Sequence, residues 1–248
     1  MFTEERLNQI LELLEHEGRV QVKDLSKKFN ISEPMIRKDL QRLEKEGKLK
    51  RTYGGAILER RKAESTSIET RLIKNSQIKS LIAERAFQEL ADGDLIFLDI
   101  SSINYLLAKL ISERNKKVTI VTNMIEIPSL FGSDSDTEII CIGGNYNKKL
   151  GGVIGSAAID NILRYRVDKA FIGSCGINVY QGTISNFDLE EAYTKKAIIN
   201  CSKTVYVVME NEKFNFDGPY NFASLDDINY IITESGDIGT LFPSHQFS

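Results

Sequence analysis

The sequence predicts two units of different class: a small winged helix-turn-helix at the N-terminus, then a larger α/β domain with a mostly parallel sheet. Three observations predict this. Residues 20–56 hold two short amphipathic helices about a tight break, followed by a glycine turn. From residue 95 onward, short apolar runs alternate with helix-like stretches, as strands covered on both faces do. Charge also divides the chain. Residues 37–62 contain ten Lys/Arg against four Asp/Glu, whereas residues 63–248 contain 17 against 24.

The first helix is expected over Thr3–His16, with Leu7, Ile10, Leu11 and Leu14 as its buried stripe and Gly18 as its stop. A second helix, Val22–Phe29, turns Val22, Leu25 and Phe29 to one face, and Asn30-Ile31 breaks it. Ser32 is placed to cap a third helix, its hydroxyl accepting from a first-turn N–H. That helix buries Ile36, Leu40 and Leu43 and shows Arg37, Lys38, Gln41, Arg42 and Lys45 on its other face. Lys48–Arg51 and Ala56–Leu58 are expected to pair as a wing around Tyr53-Gly54-Gly55. In a winged helix-turn-helix the third helix enters the major groove. Lys48, Lys50, Arg51 and Tyr53 would then lie near phosphates. A positive patch on an acidic chain draws polyphosphate in a salt-dependent manner. The head is expected to span residues 1–58.

Residues 59–76 lack a clear apolar period and are expected to link the units, with partial helix around Ile68 and Leu72. Residues 77–248 form the second unit. It opens with a helix bearing Ile78, Leu81, Ile82, Ala86 and Leu90, stopped at Asp92-Gly93. Strands are expected at 95–99, 118–123, 138–144, 169–173, 204–209 and 230–233. Helices are expected at 102–114, 124–131, 154–164 and 188–200.

In open α/β sheets, ligands bind beyond the carboxyl ends of the strands. Those ends are small and polar here: Asp99-Ile-Ser101-Ser102, Thr122-Asn123, Gly143-Gly144 and Gly173-Ser-Cys-Gly176. Glycine lets backbone N–H groups approach an anion, serines before a helix favour phosphate, and Asp99 and Asn123 suit sugar hydroxyls. Four such ends together predict a site for a small polar molecule. On spacing alone, Glu191 and Lys195 read as a surface i,i+4 ion pair and Lys213 as a solvated loop lysine.

Other chemistries fit poorly. Cys141, Cys175 and Cys201 show no metal spacing and read as reduced thiols of a cytoplasmic protein. The two histidines, His16 and His245, are ill placed for a catalytic triad or a zinc site. No apolar run reaches the ~18 residues of a membrane span, and the polar MFTEERLNQ start is unlike a signal peptide. No cofactor is expected.

These residues carry a family resemblance. Ser32-Glu-Pro-Met-Ile-Arg-Lys-Asp-Leu40, Leu43-Glu and Gly47-Lys-Leu-Lys-Arg-Thr-Tyr-Gly-Gly-Ala56 resemble the recognition helix and wing of the DeoR-type bacterial repressors. Met35 stands where that family usually has Thr, and Tyr53 where it has His. Lys38 replaces an Arg, keeping the charge but losing the bidentate fork. The second unit resembles the family's effector domain, which is itself similar to ribose-5-phosphate isomerase. Asp99, Ser102, Thr122-Asn123, Gly143-Gly144, Gly155, Gly173, Gly176, Glu191-Ala-Tyr-Thr-Lys195 and Lys213-Phe214 match its pattern, as does Lys79. Two positions depart: Ser101 replaces a Gly, and Ile103 replaces a Thr.

The resemblance implies a non-enzymatic repressor of a carbohydrate operon that binds double-stranded operator DNA as a dimer or tetramer. A phosphorylated sugar in the α/β domain would modulate it. The alternative is a sugar-phosphate isomerase with an added head, for which Asp99, Asp188 or Glu191 could act as base. A third reading is a regulator whose altered loop no longer senses a metabolite.

Overall fold

The computed structural model describes residues 2–57 and 60–239. The chain divides into a unit ending at Arg61 and a larger one beginning at Lys62.

The first unit runs α1 (Thr3–Glu17), β1 (Arg19–Gln21), α2 (Val22–Phe29), α3 (Glu33–Lys45), β2 (Lys50–Thr52), β3 (Gly55–Ile57) and a two-residue strand, β4 (Arg61–Lys62), that reaches the boundary. Leu7, Ile10, Leu14, Leu25, Ile36 and Leu40 meet in one core. Gly18 ends α1 in the left-handed region at φ 66°, where a side chain would be strained. The break after α2 is made by Asn30 at φ 53°, with its N–H bonded to the Lys27 carbonyl. The wing is tighter than the apolar pattern implied. Thr52 pairs with Gly55, leaving Tyr53-Gly54 as a two-residue turn. A third strand, β1, pairs with β3 and was not foreseen, because three residues between two helices carry no readable period. Gly55 is dictated by that pairing: a Cβ there would lie 2.0 Å from the Val20 carbonyl oxygen. Leu58, expected to end the wing, and Glu59 lie outside the described residues.

The larger unit continues with α4 (Ile68–Ile73), α5 (Ser76–Gln88), β5 (Leu95–Leu98), α6 (Ser102–Glu113), β6 (Thr119–Thr122), β7 (Glu138–Cys141), β8 (Asn145–Asn147), β9 (Gly152–Ile154), α7 (Ser156–Ile162), β10 (Val167–Gly173), β11 (Gly176–Asn178), β12 (Thr183–Asn186), α8 (Leu189–Asn200), β13 (Ser202–Val208), β14 (Phe216–Asp217), β15 (Tyr220–Ser224), β16 (Tyr230–Thr233) and β17 (Gly236–Gly239). The main sheet orders β17-β16-β13-β10-β5-β6-β7. Every pairing in it is parallel except β16 with the edge strand β17. Each of the six expected apolar runs supplies one strand.

Alternate residues along the strands feed two cores. Ile96, Leu98 and Ile120 pack with α5 and α6, while Phe97, Val121 and Ala170 pack with α7 and α8. Such two-sided burial is why the strands read as continuous apolar runs. The helix expected at 124–131 is absent. That stretch holds only a short 3-10 turn, Pro128–Leu130, because Pro128 has no N–H to donate and disfavours helix at Ile127.

Much of the stretch 59–76 is built into the larger unit. Ile68 is buried, its N–H bonds to the Lys149 carbonyl, and Ala63 N–H bonds to the Asp217 carbonyl. Among the described residues no helix is long and apolar enough to cross a membrane, and no cluster of His, Cys, Asp and Glu could hold a metal ion. His16 falls in α1, and His245 lies outside the described residues.

Cys141 is exposed, while Cys175 and Cys201 are buried; all three are free thiols. Burial pushes the Cys175 thiol up to about 11, despite a hydrogen bond with Ser185 that favours the thiolate. Iodoacetamide at pH 8 should therefore modify one cysteine, Cys141, in the folded chain and all three in urea, as counted by mass spectrometry.

Candidate functional sites

In the first unit, α3 presents its polar face outward. Ser32, Met35, Arg37, Lys38, Gln41, Arg42 and Lys45 are all exposed, as are Lys50, Arg51 and Tyr53 on the wing. Tyr53 stands at the very tip of the turn. The Ser32 hydroxyl does not cap α3. The Ser32 carbonyl instead accepts from Met35 and Ile36 N–H, at 3.0 and 3.2 Å. The hydroxyl is thereby left on the surface.

The basic groups are not equivalent. Arg42 is tied to Glu4 at 2.7 Å and Glu46 at 3.2 Å, Arg37 to Glu33 at 3.3 Å, and Arg51 to Glu44 at 3.8 Å. The hydrogen bonds that Arg42 donates to Glu4 and then Glu46 hold its guanidinium above its ordinary pKa. Among the described residues, Lys38, Lys45 and Lys50 make no such ion pair.

Sequence reasoning passed over a pair that fixes this face. Arg6 of α1 donates to Asp39 of α3 at 2.7 and 3.2 Å, and both residues are buried. Arg6→Ala should leave Asp39 without its countercharge and cost the head about 2 kcal/mol. The loss is that of a buried ion pair held by two charge-assisted hydrogen bonds. Urea denaturation of the full chain should show the loss in the head's transition alone.

In the larger unit, the strand order reverses at β5. From β5 the chain goes on to β6 and β7 on one side, then returns to β10 and β13 on the other. The crevice beyond the carboxyl ends of β5 and β10 is thus the topological switch point, where ligands bind in such sheets. Asp99 follows β5 and Gly173 ends β10, and the Gly173 N–H donates to Asp99 Oδ2 at 3.2 Å. Lys195 enters from α8, donating to the same Asp99 oxygen and lying 3.3 Å from Glu191 Oε1. Asp99, Glu191 and Lys195 are 0, 5 and 1 % exposed. The Glu191–Lys195 pair, which spacing alone places on the surface, is therefore one arm of a buried triad. Burial pushes the Glu191 carboxyl up, Lys195 opposes the push, and Asp99 adds to it. For Lys195, burial favours the neutral amine, yet the two carboxylates outweigh it and raise the ammonium above its ordinary value.

The neighbouring residues have structural work of their own. Thr122 Oγ1 donates to the Leu98 carbonyl at 2.7 Å and accepts from Met124 N–H. Asn123 Nδ2 donates to the Val153 carbonyl at 3.0 Å. The Ser101 hydroxyl caps α6 by accepting from Ile103 N–H at 3.2 Å, and Ser102 opens that helix, buried. Ser101 and Gly173 are complementary, since a Cβ at 173 would lie 2.8 Å from Ser101 Cβ. Gly176 is required by close packing, a Cβ there falling 2.1 Å from the Phe216 carbonyl oxygen. Gly143 and Gly144 are exposed beyond β7. Lys213 is half-buried over the Phe216 ring and acts electrostatically on Cys175 and Lys79.

Several polar atoms near the triad are buried without a hydrogen-bond partner: Asp99 Oδ1, Glu191 Oε2, Asn104 Oδ1, Asn123 Oδ1 and Arg71 Nε. Asn104 sits directly beneath, donating to the carbonyls of Asp99 and Phe171 at 2.9 and 2.7 Å. Arg71, from α4, feels the charges of Glu191 and Asp99, while burial lowers its pKa. Neither Asn104 nor Arg71 was visible as a site residue. Asn104 is one polar residue inside an apolar helix, and Arg71 lies in a stretch without period.

A family model described as the DeoR-like helix-turn-helix domain matches residues 6–62, and one described as the DeoR C terminal sensor domain matches residues 74–235. The chain is 30% identical over 235 residues to the glycerol-3-phosphate regulon repressor of Escherichia coli strain K12, covering 93% of this chain and 90% of that one. It is 31% identical over 234 residues to the HTH-type transcriptional repressor GlcR of Bacillus subtilis strain 168, covering 94% and 89%. Among solved structures it is similar to ribose 5-phosphate isomerase A of Methanocaldococcus jannaschii, with TM-score 0.41 and 17% identity over 56% of this chain and 55% of that one. With both family models matched in order and relatives aligned along nearly its whole length, the chain belongs to the DeoR family of transcriptional repressors.

Proposed function

We propose that this protein represses transcription of a carbohydrate-metabolism operon by binding operator DNA as a homo-oligomer, and that a phosphorylated sugar held beyond β5 and β10 alters that binding. The observation that carries the ligand class is the set of buried, unpartnered polar atoms around Asp99. Four are oxygens of Asp99, Asn104, Asn123 and Glu191, which need donors, and one is the Arg71 Nε–H, which needs an acceptor. Leaving such groups unmet costs roughly 1–3 kcal/mol each. A phosphorylated sugar carries both complements: hydroxyls for the oxygens and a phosphate for the guanidinium. That two relatives are named repressors, one of a glycerol-3-phosphate regulon, supports the same class.

Such a ligand need only favour one arrangement of heads over another, and a coupling of about 1–3 kcal/mol suffices. If two heads pair about a two-fold axis, their half-sites should lie about 34 Å apart or a multiple of it. The test is fluorescence anisotropy on labelled DNA from upstream of the protein's own gene, at two salt concentrations, against a panel of triose, pentose and hexose phosphates. Sequence-selective, salt-weakened binding shifted by one compound is the expected result. Absence of selective binding would remove the operator reading. Selective binding that no compound shifts would remove the sensing reading.

A further inference from the structure

The third helix carries many long donors, yet those best suited to guanine are already engaged. Guanine is read most often by an arginine fork on its O6 and N7. Arg42 sits between Glu4 and Glu46, at 2.7 and 3.2 Å, and Arg37 lies 3.3 Å from Glu33. An arginine that turned to a base here would leave a carboxylate bare against a polyphosphate. Glu46 is held further by Lys48 at 2.9 Å, and that hydrogen bond keeps its carboxyl below the ordinary range, so it stays charged at neutral pH. Lys38 and Lys45 carry compact charges without a fork, which suits phosphates.

Two side chains of the same helix have no such tie. Gln41 is exposed, and among the described residues its amide makes no hydrogen bond. A glutamine amide can hold the N6 and N7 of adenine as a bidentate pair. Met35 stands in the first turn, its N–H donating to the Ser32 carbonyl at 3.0 Å. Its neighbour Ile36 is wholly buried in the core, whereas Met35 is 45 % exposed. The thymine methyl is the one apolar group that a base pair shows in the major groove, and an unbranched thioether adapts to it readily. One exposed methionine is ordinary on a protein surface. Beside a free amide, on a helix whose arginine forks are engaged, it points to the same base pair as that amide, one residue suited to adenine and the other to thymine.

We infer that α3 reads A·T pairs: Gln41 holds an adenine edge and Met35 covers a thymine methyl. A helix rising ~1.5 Å per residue sets these positions about 9 Å apart, roughly two or three base-pair steps. This rests on the operator reading above and adds the class of base pair that is read and the residues that read it.

The test takes duplexes that the full chain selects from a random pool and remakes them with base analogues. Deoxyuridine in place of thymidine removes the methyl. 7-deaza-adenine and 7-deazaguanine each remove one N7 acceptor. Anisotropy titrations of the natural chain, Met35→Ala and Gln41→Ala compare them. Deoxyuridine should weaken the natural chain about three- to tenfold, as one or two uncovered methyl groups would. 7-deaza-adenine should weaken it about five- to thirtyfold, the loss of one bond of a bidentate pair. 7-deazaguanine should leave it almost unchanged. Met35→Ala should bind thymidine and deoxyuridine duplexes alike, and Gln41→Ala should bind adenine and 7-deaza-adenine duplexes alike. Both variants should keep the natural salt slope, since neither residue meets a phosphate. Both positions are exposed and alanine is a strong helix former, so the head should fold in each. A merely structural residue would leave the analogue sensitivity in place when removed.

A greater loss with 7-deazaguanine than with 7-deaza-adenine overturns the inference, because Arg37 or Arg42 then leaves its carboxylate to read guanine. Deoxyuridine sensitivity that is absent from the natural chain, or that persists in Met35→Ala, overturns the role of Met35. The same pattern with 7-deaza-adenine and Gln41→Ala overturns that of Gln41. Each of these results leaves the operator reading standing, whereas failure to select any sequence overturns both.

Discussion

Replacing Lys195 with methionine is expected to destabilise the larger unit by about 3–5 kcal/mol, the cost of stranding buried charge. Its ammonium bonds both Asp99 and Glu191, and all three side chains are shielded from water. The loss should depend on pH in a definite direction. Burial already pushes the Glu191 carboxyl up, and in this variant the opposing ammonium is gone, so its folded-state pKa rises further. A carboxyl with a raised folded-state pKa stabilises the fold when protonated and loses that contribution as pH rises through it. The deficit should be largest at neutral pH and shrink as pH falls toward the ordinary carboxylate range. Urea denaturation at pH 7 and pH 5 measures both quantities. Adding Asp99→Asn and Glu191→Gln to Lys195→Met should recover more than half of the loss, because the triple variant strands neither carboxylate of the triad. A deficit under 1 kcal/mol at pH 7 would mean that water reaches the triad and that these residues are not a sealed electrostatic unit.

The triad also shows where sequence stops being readable. Both ends of the i,i+4 pair on α8 were visible, but their burial was not. It depends on Asp99, 96 residues earlier in the chain, arriving from β5. The same holds for Arg6 and Asp39, 33 residues apart, whose pairing joins two helices that were each legible alone. The six parallel strands were legible because two-sided burial writes a continuous apolar run. The edge strand β17 was not, since Gly236–Gly239 pairs on one side only and has no such run. The expected helix at 124–131 was a reading of apolar composition that Pro128 overrules locally. The strand-end glycines pointed to the carboxyl edge of the sheet, yet Gly173 and Gly176 are explained by close packing against Ser101 and Phe216. Arg71 was missed outright: it lies in a polar stretch with no period, and only the packing of α4 on the turn at Leu150 places it by Asp99.

On the head, the triple variant Lys38→Ala, Lys45→Ala, Lys50→Ala should lose roughly a thousandfold or more of its operator affinity at moderate salt. Lysines on α3 and the wing can each release a counterion on meeting a phosphate. Removing one such contact lowers the slope of log affinity against log salt by about 0.9. The triple variant should therefore lower that slope by about three, and the gap from the natural chain should narrow as salt rises. Arg42→Ala should behave differently. Arg42 already holds Glu4 and Glu46, so any anion must compete with two carboxylates, and its removal frees both. Its operator affinity should fall less than fivefold, with little change in slope. A single base-reading donor, by contrast, is worth about 1–3 kcal/mol against one sequence and little against others. Anisotropy titrations of both variants, at several salt concentrations on operator and scrambled DNA, separate these cases. If Arg42→Ala proves the more damaging, its ion pairs break on binding and α1 shifts with them. The acidic residues around α3 would then act as a gate on the recognition surface, not as its scaffold.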